Sequence, residues 1–154
     1  MTLPEVFQAL GEDAFRQQVR SISIGRLRSY QLLDRLKTRC HLAKLNTETI
    51  RKAAPRLWAR LAERDEDLAA DLSQAILVSN LEMIRAVLDF LGVAHNDGFF
   101  DKDDSVQAQL TEGWQQRAWD QFHKIYPEPV LLFYLNHLAC EVLKSDEVFS
   151  PAHD

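Results

Sequence analysis

The residues best suited to chemistry stand in one short run, His95-Asn96-Asp97-Gly98-Phe99-Phe100-Asp101-Lys102-Asp103-Asp104. It sets four carboxylates and an imidazole within ten residues. Oxygen-rich loops of this kind suit hard cations such as Ca²⁺ or Mg²⁺, with Asp97, Asp101 and Asp103 as the ligands. The spacing departs from the EF-hand loop, because the D-x-D-x-D-G order and the closing glutamate are both missing. Turn and cap chemistry accounts for the same residues more simply. Asn-Asp-Gly favours a tight turn, Phe99 and Phe100 would pin the loop to a core, and Asp104 would cap the following helix.

Two further constellations have metal-ligand spacing on a helix. Asp120-x-x-His123 and His137-x-x-x-Glu141 each place two donors on one helical face. Carboxylate and histidine pairs of this type build metal centres inside helical bundles. A di-iron bundle needs two Glu-x-x-His pairs and two more glutamates, and no Glu-x-x-His occurs in the chain. A His-Glu pair one turn apart is otherwise an ordinary polar stripe, and Lys144 continues it.

Other catalytic signatures are missing. All five glycines are isolated, so no glycine-rich phosphate loop is present. Neither G-x-S-x-G nor H-E-x-x-H occurs. Cys40 and His41 are adjacent, so on a helix their side chains diverge. Cys40 and Cys140 belong to no metal-type spacing, and each is expected to be a buried thiol. No cofactor is expected.

Charge is the remaining functional signal. Net charge is −5, but residues 26–60 hold ten Lys/Arg against Asp34 and Glu48, a net of +8. Residues 61–154 hold six Lys/Arg against eighteen Asp/Glu, a net of −12. Arg28, Arg35 and Arg39 recur at i, i+7 and i+11, which makes a helical stripe suited to phosphate. The acidic remainder opposes a polyanion at close range. A solvated or partner-facing helix is the more ordinary reading of the stripe.

These residues need a scaffold, and the apolar pattern describes one. Residues 81–91, LEMIRAVLDFL, put Leu81, Ile84, Leu88 and Leu91 in one row. Met83, Val87 and Phe90 lie in a second row beside it. A helix apolar over most of its circumference must be covered on most sides, so this is the expected central helix. Ser79 with Glu82 reads as its capping box and Gly92 as its end.

Around it the spacing predicts helices over 3–21 (with Gly11 as a weak point), 26–45, after Pro55, to Val78, from 104 or 105 to Ile125, and over 130–144. Pro55 should leave only a short helical turn before it. The acidic run 63–67 is either a break or solvated helix surface. A weak echo at an offset of 47 residues sets 79–93 against 126–140, within the range of paired-helix repeats.

The expected fold is all-α: a single-domain bundle of six or seven helices over 1–144, with HEAT-like paired packing as a variant and a frayed tail over 145–154. Residues 1–25 lack the basic start and apolar run of a signal peptide. The longest apolar run, 130–135, is too short to span a bilayer. A cytoplasmic location is the default expectation. The functional expectation is a non-catalytic protein–protein interaction or adaptor module, with an unknown protein partner or self-association and no membrane. The alternative is a nucleic-acid-binding module using 26–60. A metal-binding helical-bundle enzyme stands third.

Overall fold

Gly11 makes the first departure from a smooth helical reading. In the computed structural model, which describes residues 1–23, 47–100 and 104–152, Gly11 has φ +95. A helix cannot run through that angle, so 3–21 becomes two helices, α1 (Leu3–Leu10) and α2 (Glu12–Arg20). Pro4 occupies the first turn of α1, and the Thr2 N–H donates to Glu5 Oε2 at 3.4 Å. The Gly11 N–H donates to the Phe7 and Gln8 carbonyls, and its own carbonyl accepts from the Phe15 N–H.

Helix α3 (Thr47–Ala62) continues through Pro55, where a mere turn before the proline was expected. Pro55 has no N–H to donate, so one rung of the ladder is lost. The buried face made by Ala53, Ala54, Leu57 and Leu61 spans the proline and packs on α1 and α2. Burial on both sides of the proline holds the helix together across the defect.

The acidic run then resolves as a break and a cap. Arg64 takes φ +63, and Asp65 starts α4 (Glu66–Ser79) by accepting the Leu68 N–H at 3.0 Å. Arg60 donates to the same carboxylate at 2.5 Å. These four helices belong to one compact unit, Thr2–Asn80. Phe15 joins its parts, with its ring 5.6 Å from Phe7 edge-on and 5.4 Å from Trp58.

Met1 with Leu81–Asp154 forms the other unit. Its first helix, α5, is Leu81–Leu91, and Gly92 at φ +76 follows it. Leu81, Met83, Ile84, Val87 and Leu88 are buried, but Phe90 is 43% exposed. The second apolar row therefore reaches solvent at its end. Ser79 makes no capping box; it is the last residue of α4, where its hydroxyl donates to the Ala75 carbonyl and accepts from the Ser23 N–H.

The helix expected from 104 to Ile125 is two helices, α6 (Asp104–Gln109) and α7 (Trp114–Phe122). Gly113 at φ +79 separates them. Arg117 ties the break down, donating to the Glu112 carbonyl at 2.8 Å and to Thr111 Oγ1 at 2.9 Å. Helix α8 (Glu128–Leu143) starts with Pro127 as its N-cap and Pro129 in its first turn. It buries residues from Val130 to Val142 on nearly all sides. Helix α7 packs against both α5 and α8, and α6 packs against α8.

Asn136, buried in α8, donates to the Leu132 and Phe149 carbonyls and accepts the Phe149 N–H at 2.7 Å. That exchange fastens non-helical residues after 144 onto the helix. The Ala152 N–H also donates to Gln116 Oε1 at 2.9 Å. The Met1 amino group lies 2.6 Å from Asp146 and holds that carboxyl below the usual carboxylate range. Cys140 is a buried thiol that donates to the Met1 carbonyl.

The described residues thus form eight helices and no strand, an all-α fold. None of these helices is long and apolar enough to cross a membrane. The helix expected over 26–45, with Arg28, Arg35, Arg39 and Cys40, lies outside the described residues.

Leu88 and Leu135 are both fully buried. Leu88→Ala and Leu135→Ala should each cost about 2–5 kcal/mol, because each leaves a cavity in a packed core. Chemical denaturation measures this, and a loss below about 1 kcal/mol at both sites would contradict it.

Tyr134 offers a pH test. Burial pushes its phenol above the ordinary value of 10.0. Between that value and the higher folded one, the unfolded chain loses the proton and the folded chain keeps it. Stability is therefore full below about pH 10 and falls as pH rises further. Tyr134→Phe removes this loss. Between pH 9 and 11 the wild type should lose about 1.4 kcal/mol more than the variant in urea titrations. Equal losses would show that the phenol titrates normally.

Candidate functional site

The carboxylate-rich loop is built on α5 by backbone geometry. Asp97 at φ +54 and Gly98 at φ +90 occupy the middle of a tight turn. Asn96 and Phe99 close it by exchanging backbone hydrogen bonds of 2.7 and 3.0 Å. Two successive positive φ angles are the geometry that Asn-Asp-Gly sequences favour. A Cβ on Gly98 would sit 3.1 Å from Leu81 and 3.4 Å from Ile84. Gly98 therefore docks the turn on α5 through bare backbone. Phe99, expected to pin the loop, is 46% exposed.

The polar side chains of the turn engage α5. Arg85 donates to Asp97. His95 Nδ1 accepts the Gly98 N–H at 3.0 Å, and Nε2 lies 2.7 Å from Asp89 Oδ1. An acceptor Nδ1 leaves the proton on Nε2, so the imidazole bridges as a neutral tautomer and donates to Asp89. Both imidazole nitrogens are thus occupied, and Asp97 faces a guanidinium. Asp101 and Asp103 lie outside the described residues.

The helical pairs are likewise engaged with neighbours. Asp120 accepts from Gln116 Nε2 at 2.9 Å. His123 stacks on Trp119 with ring centroids 5.3 Å apart, and its Nδ1 lies 3.3 Å from Glu128. His137 packs 5.7 Å from the Phe133 ring, one turn before Glu141 on α8. Among the described residues, no three His, Cys, Asp or Glu side chains form a group able to hold a metal ion.

Two surface features emerge from the folded arrangement. The first is aromatic. Phe90, at the end of α5, meets Phe122 edge-on at 5.5 Å, and Phe122 meets Tyr126 at 6.0 Å. Ile125, in the turn that ends α7, is 64% exposed. The helical period had placed Phe90 in an apolar row and Ile125 inside a helix. Early termination of α7 is what turns Ile125 outward.

The second feature is a pocket of about 170 Å³ lined by Arg16, Arg20, Lys52, Ala54 and Pro55. Arg16 and Arg20 stand one turn apart on α2, and the others come from α3. Of the three cations among its described lining residues, only Lys52 falls inside the basic segment 26–60. The i, i+4 arginine pair was the available sequence signal, but nothing local to α2 points to α3 as its neighbour.

If the turn at 95–100 is purely structural, added Ca²⁺ should leave the wild-type melting temperature unmoved. Asp97→Asn with Asp101→Asn should behave the same way, with at most about 1 kcal/mol lost from the exposed Arg85 pair. A wild-type melting temperature that rises with micromolar Ca²⁺, and no longer does in the double variant, would make the loop a cation site.

Compared with protein-family models, curated proteins and solved structures, the chain matches none of them.

Proposed function

We propose that the chain is a non-catalytic helical interaction module that docks a protein partner, or a second copy of itself, through the face carrying Phe90 and Ile125. The observation behind this reading is the aromatic row Phe90–Phe122–Tyr126, with the exposed Ile125 preceding Tyr126 in the chain. Phe122 is buried, so it holds Phe90 and Tyr126 from behind. Rings anchored in this way lose little further freedom on binding, which favours them as interface anchors. Exposed apolar groups that gather on a rigid surface mark binding sites more often than scattered ones do.

Binding of nucleic acid through 26–60 stands as the alternative, since Arg28, Arg35 and Arg39 lie outside the described residues. No described observation favours the metal-bundle enzyme.

Phe90→Asp with Ile125→Asp should fold normally and lose association. Sedimentation velocity across a wide concentration range reads self-association. Capture from native lysate, with and without nuclease, reads a protein partner. The reading predicts nuclease-resistant association in the wild type and its loss in the double variant. Association that survives the double change, or that vanishes with nuclease alone, would contradict it.

A further inference from the structure

We propose that the pocket formed by α2 and α3 binds a small phosphomonoester dianion. This goes beyond the docking reading and does not depend on it. Arg16 and Arg20 from α2 line it together with Lys52 from α3. Glu12 offsets part of this charge from the side, 3.2 Å from Arg16 in a half-exposed pair. No side-chain hydrogen bond or ion pair of Arg20 or Lys52 is present among the described residues. Arg20 also lies in the last turn of α2, where a cation complements the helix dipole. That explains Arg20 alone. It does not explain why two more cations meet it across a concave surface.

Among the described residues, three cations line the pocket and the Glu12 carboxylate beside Arg16 offsets one, a surplus of two positive charges. A phosphomonoester carries about −1.5 to −2 at neutral pH and matches that surplus. A carboxylate or a phosphodiester brings a single charge and leaves it half met. Two guanidinium forks and one ammonium are the donor set that phosphate oxygens recognise well. Ala54 and Pro55 add apolar atoms to the described lining, suited to the first carbons of the ester. At about 170 Å³ the pocket is smaller than the roughly 300–1,000 Å³ that encloses a drug-sized ligand or cofactor. It therefore holds the phosphate and little of what carries it.

Titration calorimetry with phenyl phosphate, inorganic phosphate and dimethyl phosphate tests this at constant ionic strength. The expected order is phenyl phosphate tightest, then inorganic phosphate, then the monoanionic diester about tenfold or more weaker. Arg20→Gln and Lys52→Gln should each weaken phenyl phosphate by about tenfold, the worth of one charge-assisted hydrogen bond. Lys124→Gln, outside the pocket, should leave it unchanged. Circular dichroism establishes that each variant is folded. Binding should also weaken as pH falls below about 6, where the second phosphate proton returns. Equal affinity for diester and monoester would overturn the proposal. So would retention of binding in the Arg20 and Lys52 variants, or binding only to long oligonucleotides with a steep salt dependence.

Discussion

Helix α8 is apolar on almost every side, and within residues 81–152 much of the structure serves to cover it. Ten of its sixteen residues are buried. A single amphipathic neighbour cannot cover a helix of that kind, so α6 and α7 both pack against it. Chain outside the helices contributes as well. Asn136 is a buried amide within α8, and it is satisfied by the Leu132 carbonyl and by both backbone groups of Phe149. The burial that makes Asn136 expensive to leave unpaired is what holds the chain at Phe149 against the helix.

The same economy of polar groups governs the loop after α5. Its carboxylates and imidazole have the composition of a ligand set. In the folded chain Asp97 meets Arg85, and His95 bridges the Gly98 backbone to Asp89. Each of these bonds holds the turn against α5, and Gly98 permits the close approach. At Asp97 and His95, residue types that suggest cation chemistry engage neighbouring side chains and backbone. The difference lies in where their partners stand in three dimensions, which composition does not reveal.

Surface chemistry arises where regular helices stop. Gly113 ends the long helix that periodicity predicted and restarts it as α7, which then finishes at Phe122. Ile125 is left beyond that end in solvent, and Phe90 lies exposed against Phe122. At α2 and α3 the effect is one of convergence. Arg16 and Arg20 are separated from Lys52 by more than thirty positions in the chain, and packing of two helices brings them to one concavity. Charges so placed gain meaning only together, because each alone is an ordinary exposed cation.

Much of the local architecture was legible in the sequence. The period of Leu81 to Leu91 defined α5, the prolines at 127 and 129 opened α8, and the all-α class followed from helical spacing alone. These are short-range properties, set by side-chain period and by backbone restrictions within a few residues. Gly11 was marked only as a weak point, and the break at Gly113 and the continuity of α3 through Pro55 were not legible in this way. A glycine tolerates both helix and positive φ, and a proline defect survives where burial on each side outweighs one lost hydrogen bond, so tertiary packing decides each case. Packing likewise turned Phe90 and Ile125 outward, gave Asp97 and His95 their partners, and joined Arg16, Arg20 and Lys52 in one pocket. All of these depend on which distant surfaces meet, and helical period carries no record of that.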